Sequence, residues 1–177
     1  MKIGLCGTMS VGKTTLVNAL KNEPEFKKYT FRTERSKYLN SMGIPLNTDS
    51  TLKGQLVFAA ERAAELMQEN IITDRTIIDV MAFCELSKSM SKAEKDHING
   101  VLWHLIKEYD IIFHIDDLSV PMEDNGVRET NKDYRLDILQ KITSILEMYR
   151  YMPGKVIKIS GTTKERINQI KTSLLYV

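Results

Sequence analysis

Cysteine is almost absent from this chain. Cys6 and Cys84 stand alone and far apart, which excludes both a disulfide framework and the paired spacing of a zinc site. Both fall in apolar patterns, so both are expected as buried packing residues in a reducing, cytosolic compartment. Long apolar runs are missing too. Nothing approaches the roughly 20 residues of a membrane span, and Met1–Gly7 lacks the longer apolar stretch of a secretory leader. Excess charge is missing: the net charge is +2, too little to demand a nucleic-acid or membrane partner. His97, His104 and His114 have no metal-ligand spacing. The first two are expected on a helix surface and His114 as a structural residue. With 4 prolines and 9 glycines in 177 residues there is no low-complexity linker and no internal repeat, so one domain over 1–177 is expected.

Short apolar runs alternate with helix-period segments along the whole chain. Lys2–Cys6, Tyr29–Thr33, Asn70–Thr73, Asp110–Ile115 and Lys155–Ser160 read as strands. Lys13–Lys21, Thr51–Gln68, Ile77–Leu86, Lys92–Tyr109, Asp133–Tyr149 and Lys164–Leu175 read as helices. In Thr51–Gln68 the apolar period Leu52, Leu56, Ala59, Ala60, Ala63, Met67 predicts the buried face. Five strands alternating with helices imply an α/β fold: a five-stranded parallel sheet between two helical layers. Ligands then bind at the carboxyl ends of the strands.

The most specific signal is Gly7-Thr8-Met9-Ser10-Val11-Gly12-Lys13-Thr14, which matches G-x-x-x-x-G-K-[ST] between a strand and a helix. Such a P-loop curls its backbone N–H groups around phosphate oxygens, and the helix behind it adds its positive end. The expected contacts come from Gly7, Ser10, Val11, Gly12, Lys13, Thr14 and Thr15. Lys13 reaches the β- and γ-phosphates, and Thr14 ligates Mg²⁺. The chemistry of phosphoryl transfer also needs carboxylates. Glu34, after the second strand, and Asp74, at the end of the third, lie where the fold faces the loop. Asp74 is expected on the metal. Glu34 is the candidate base, with Asp74 its rival, and Asp79 follows one helical turn later.

A polar segment over about 118–135 reads as a lid. Arg128 and Arg135 are seven residues apart and would share a face if the chain were helical from about Val127. Arginines on a flap neutralise a phosphoryl group in transfer and exclude water. The turn Ser160–Thr163, with Gly161 and Thr162, is expected beside the P-loop and against adenine.

These pieces, in this order, resemble the ribosylnicotinamide-kinase domain of NadR and its bacterial and phage relatives. Gly7–Thr15 is similar to that family's phosphate loop, and Glu34 to the acid of its E-x-x-R element. Asp74-Arg75-Thr76-Ile77-Ile78-Asp79-Val80-Met81-Ala82-Phe83 is similar to D-R-x-x-x-D-x-x-A-[YF], and Asp124–Arg128 to its D-G-x-R lid. Two positions depart from the pattern: Lys37 stands where the E-x-x-R arginine would be, and Asn125 is inserted in the lid. The resemblance implies a three-layer P-loop nucleoside triphosphate hydrolase/kinase fold, ATP, Mg²⁺ and a nucleoside-like acceptor. Glu34, Lys37, Arg75 and Asp79 are then the acceptor-side residues. Two alternatives remain open: a kinase acting on a hydroxymethylated pyrimidine in DNA, and a nucleotide-binding switch without catalysis. A GTPase would carry N-K-x-D after the fourth strand, and Asn131-Lys132-Asp133 lacks the spacer.

Overall fold

A computed structural model describes residues 1–33, 35–122, 131–149 and 155–175, residue 155 by its backbone alone. Its strands are β1 (Lys2–Cys6), β2 (Thr30–Arg32), β3 (Ile71–Asp74), β4 (Ile111–His114) and β5 (Lys155–Lys158). Its helices are α1 (Lys13–Leu20), α2 (Ser36–Ser41), α3 (Leu52–Leu66), α4 (Ile77–Leu86), α5 (Lys92–Ile106), α6 (Lys132–Tyr149) and α7 (Thr163–Leu174). The five strands form one parallel sheet in the order β2-β3-β1-β4-β5. β1 is central. The chain leaves it toward β3 and β2 on one side and returns to β4 and β5 on the other, so the end of β1 is the switch point where such sheets bind ligands. The expected fold class is the observed one.

Strand alternation sorts the core into two faces. Ile3, Leu5, Ile72, Ile111 and Phe113 pack with Leu16, Val17 and Leu20 of α1 and Ile167 and Ile170 of α7. Cys6 and Ile112 face the other way, against α4, α5 and α6 through Ile78, Ala82, Ile98, Leu102, Ile138 and Ile142. Both cysteines are buried, and burial pushes the Cys84 thiol up to about 12. His97 and His104 are exposed and His114 is buried at the end of β4. No described helix is long and apolar enough to cross a membrane.

The structure corrects two local expectations. α2 is an addition to the expected elements, because Ser36–Ser41 shows no apolar period and buries only Leu39. α6 runs Lys132–Tyr149, and the side-chain oxygen of Asn131, just before it, accepts from the backbone N–H groups of Asp133 and Tyr134; the stretch from Val127 to Thr130 lies outside the described residues. Most informative is α3. Of its expected buried stripe, Leu56 is 50% and Met67, just beyond the helix, 84% exposed. The helix instead buries Gln55, Arg62 and Glu65 with Ala59 and Leu66. It is turned so that polar side chains reach the end of β3.

Arg62 Nη2 donates to Glu65 Oε1 at 2.7 Å within this buried strip. Burial raises the Glu65 carboxyl to about 7, against the opposing pull of Arg62, with Glu61 adding to the rise. The folded value lies above the unfolded one, so the folded chain holds this proton longer, and stability is lost as pH rises from about 4.5 through about 7. Glu65→Gln cannot lose that proton. Its denaturation midpoint should therefore fall less than the wild type's between pH 5 and pH 8, as read by urea melts. Identical pH dependence of the two chains would contradict the burial account.

Candidate phosphate and metal site

The loop after β1 is shaped by contacts a glycine alone permits. A Cβ on Gly7 would lie 2.3 Å from the Ile115 carbonyl oxygen. The Gly7 N–H donates to Asp79 Oδ1 at 3.3 Å. Gly12 ends the loop in a left-handed conformation, φ 84°, and caps α1.

Two arginines from distant elements hold the loop's carbonyls. Arg135, in the first turn of α6, donates from Nε to the Met9 oxygen at 3.2 Å and from Nη2 to the Ser10 oxygen at 3.3 Å. Arg166, in the first turn of α7, donates from Nη1 to the Val11 oxygen at 2.6 Å. There are no cis peptides among the described residues. In a trans peptide the C=O and the following N–H are opposed. Holding these three carbonyls therefore turns the N–H groups of Ser10, Val11 and Gly12 away from the guanidiniums, in series. Such a row of N–H groups makes an anion-binding concavity. The residues present thus fit a polyphosphate.

Lys13 opens α1 and is buried. Its Nζ donates to the Gly7 oxygen at 2.5 Å and the Thr8 oxygen at 2.7 Å. Burial, then the nearby Arg75 charge, lowers its pKa, while Asp79 and Asp74 pull it back up. The Thr14 hydroxyl donates to Asp74 Oδ2, joining the first turn of α1 to the end of β3. A hydroxyl and a carboxylate side by side are hard oxygen donors that suit Mg²⁺, which takes one or two carboxylates together with substrate phosphates. Thr15, the next residue, is exposed.

Beyond Asp74 the chain turns sharply. Arg75 has φ 79°, and its guanidinium lies 4.9 Å from the centroid of the Phe83 ring. Asp79 is fully buried. Its Oδ2 accepts from Thr76 N at 2.7 Å and Thr76 Oγ1 at 2.9 Å, closing a capping box on α4 while Oδ1 holds Gly7. The structure therefore puts Asp79 under the P-loop, as a tie between β1 and α4.

Other expected residues are less gathered. Arg135 is buried, and it also donates to the Leu118 and Val120 carbonyls, so it joins the segment after β4 to the P-loop. Lys37 is exposed on α2. Thr162 caps α7 in a capping box with Glu165, and Gly161 precedes it at φ 90°. Arg166, four residues beyond that cap, brings this turn beside Val11. Glu34 and Arg128 lie outside the described residues.

Sequence reasoning missed Arg166 and Arg62. Arg166 had a signal: it is a cation in the first turn of a helix, where the dipole disfavours it, so a specific partner was to be expected. Asp117 Oδ2 at 2.9 Å and the Val11 oxygen are those partners. Arg62 had none, because an arginine within a helical pattern ordinarily belongs to the solvated face.

Comparison with known proteins places these features in a family. The sequence model of the AAA domain family matches residues 2–166. A search of curated proteins finds no match. Among solved structures, deoxyadenosine kinase from M. mycoides, with products dCMP and a flexible dCDP bound, is similar at TM-score 0.72 and 16% identity, with 100% of each chain covered. NadR in complex with NR is similar at TM-score 0.76 and 16% identity, over 99% of this chain and 51% of that one. Thymidylate kinase from Ehrlichia chaffeensis is similar at TM-score 0.61 and 17% identity, over 99% and 97%. The chain belongs to the AAA domain family, and its parallel sheet and phosphate loop are built on the fold of these P-loop kinases.

Proposed function

We propose that this chain is an ATP- and Mg²⁺-dependent kinase that moves the γ-phosphoryl group to a hydroxyl of a nucleoside- or nucleotide-like acceptor. It is read as one domain over 1–177, with a lid over about 118–135. The observation that carries the reading is the Thr14–Asp74 contact beside a loop whose N–H groups are turned in series. That pairing supports the reading because it sets two hard oxygen donors beside the loop. The fold shared with kinases whose structures hold dCMP and NR supports a nucleoside-like acceptor.

In this reading the N–H groups of Ser10, Val11 and Gly12 bind the β-phosphate side of ATP, and Lys13 exchanges its two carbonyl contacts for phosphate oxygens. Thr14 and Asp74 would hold Mg²⁺, which when bound offsets negative charge on the phosphates. Gly161 and Thr162 border the adenine side. Glu34 orients the acceptor hydroxyl and takes its proton as the acceptor O–P bond forms and the bond from Pγ to the bridging oxygen breaks. Arg75 and Lys37 face the acceptor, and Arg128, on the lid, neutralises the phosphoryl group in transfer. Arg135 acts from beneath, by holding the loop and the start of the lid together.

One observation favours a second reading. Arg35 stacks over the Tyr38 ring at 4.4 Å while pairing with Glu61 at 3.0 Å, and Arg32 and Lys37, near it in sequence, are exposed. Such a cationic and aromatic platform suits a polynucleotide strand carrying the hydroxyl.

Two variants separate donor binding from transfer. Lys13→Ala should weaken ATP by about tenfold or more in calorimetry, since a buried charge-assisted contact is worth roughly 1.5–3 kcal/mol. Unchanged affinity would remove Lys13 from the donor site. Glu34→Gln and Glu34→Ala should bind ATP like the wild type, while steady-state transfer drops by about 10²–10⁴-fold, the usual contribution of a general base. A Gln variant turning over at the wild-type rate would assign the proton elsewhere, with Asp74 the next candidate.

A further inference from the structure

α3 breaks a local rule. It turns Leu56 to solvent and buries Arg62 and Glu65, which are 3% and 8% exposed. Arg62 Nε and Glu65 Oε2 are also buried without a hydrogen-bond partner. A buried ion pair with unmet donors and acceptors is a poor stabilising device, and an apolar pair of similar volume would serve folding as well or better. Departures of this kind mark functional positions.

The contacts show what the pair holds. β2 ends at Arg32, which pairs with Thr73, one residue before Asp74. The Asp74 carbonyl accepts from Arg62 Nη1 at 3.1 Å. On the opposite side of the same peptide, Arg75 N–H donates to the Leu5 oxygen of β1 at 3.0 Å. The Asp74–Arg75 peptide is thus gripped at both ends. It needs this grip, because Arg75 sits at φ 79°, a conformation that costs a non-glycine residue on the order of 1–3 kcal/mol and persists only where neighbours over-determine it. If that peptide were released, uncompensated changes in ψ of Asp74 and φ of Arg75 would reorient the chain on either side of it, and with it the Asp74 carboxylate beside Thr14 and the Arg75 guanidinium over Phe83.

We propose that Arg62, itself anchored by Glu65, is the positioning residue of the site: by clamping the Asp74–Arg75 peptide it aims the metal-side carboxylate and the acceptor-side arginine together. This rests on the kinase reading above. Arg62 need touch neither substrate nor metal to do so. Its effect therefore belongs to the metal-dependent part of nucleotide binding and to turnover, not to the grip of the P-loop on phosphates.

The test is calorimetric binding of ADP to the full chain, with Mg²⁺ and with EDTA, in the wild type, Arg62→Met and Arg62→Lys, beside their melting curves. The wild type should bind ADP more tightly with Mg²⁺. Arg62→Met should match the wild type in EDTA while the gain from Mg²⁺ shrinks by about 10–100-fold, the usual cost of losing an outer-shell partner. Arg62→Lys keeps the charge and one donor within reach of the Asp74 carbonyl, so it should recover part of the gain. It also carries the test alone if the Met chain does not fold. A folded Arg62 variant with the full gain overturns the proposal, and so does a parallel loss with and without metal, which would make Arg62 a fold residue only. A wild-type chain that binds no ADP overturns the nucleotide reading and this proposal with it.

Discussion

Three peptide planes in the loop after β1 decide what this surface can bind. The carbonyls of Met9, Ser10 and Val11 are each held by a guanidinium, two by Arg135 and one by Arg166. A buried carbonyl without a partner costs roughly 1–3 kcal/mol, so without these arginines the loop would lose the conformation that lines up its N–H groups. The rest of the architecture serves this arrangement. The parallel sheet brings the ends of β1, β3 and β4 to one edge, and α6 and α7 begin beside the loop, each with an arginine in its first turn. Arg166 also pairs with Asp117 and Arg135 reaches Leu118 and Val120, so the segment after β4 is attached to the loop by the same two side chains.

The Thr14–Asp74 side of the loop depends on a second peptide, between Asp74 and Arg75. Here the strand runs out and the chain reverses through a left-handed residue. The Thr76–Asp79 capping box secures the start of α4, and Asp79 also holds Gly7. One carboxylate thereby ties the start of the P-loop to the element that carries Asp74. The exposed apolar residues of α3 are the counterpart of this design, because the helix cannot bury both Leu56 and Arg62.

Much of this was legible in the residues. The P-loop signature, the alternation of apolar runs and helical periods, and the Asp74-Arg75-Thr76 turn are local patterns, and local patterns survive into structure. Arg135 was picked out, but not its contacts: a lid arginine was expected, and its guanidinium donates to the Met9 and Ser10 carbonyls of the loop. Asp79 was expected toward the acceptor and lies under the loop. Arg62 and Arg166 were not legible, since their partners are backbone carbonyls far away in sequence, and no spacing rule registers a contact between Arg166 and Val11. The α3 face differs for a related reason: hydrophobic periodicity presumes that apolar burial wins, and here the bonds from Arg62 to the Asp74 carbonyl and to Glu65 bring the polar strip inward.

Transfer to a nucleoside-like hydroxyl can be followed with γ-³²P-ATP and Mg²⁺ by tracking the label through a panel of nucleosides, nucleotides and hydroxymethylated oligonucleotides. A kinase of this kind yields labelled monomeric product from at least one nucleoside or nucleotide. Label confined to the oligonucleotides would move the acceptor to DNA. Release of inorganic phosphate alone, or ATP bound and returned intact with every acceptor, would contradict the kinase assignment.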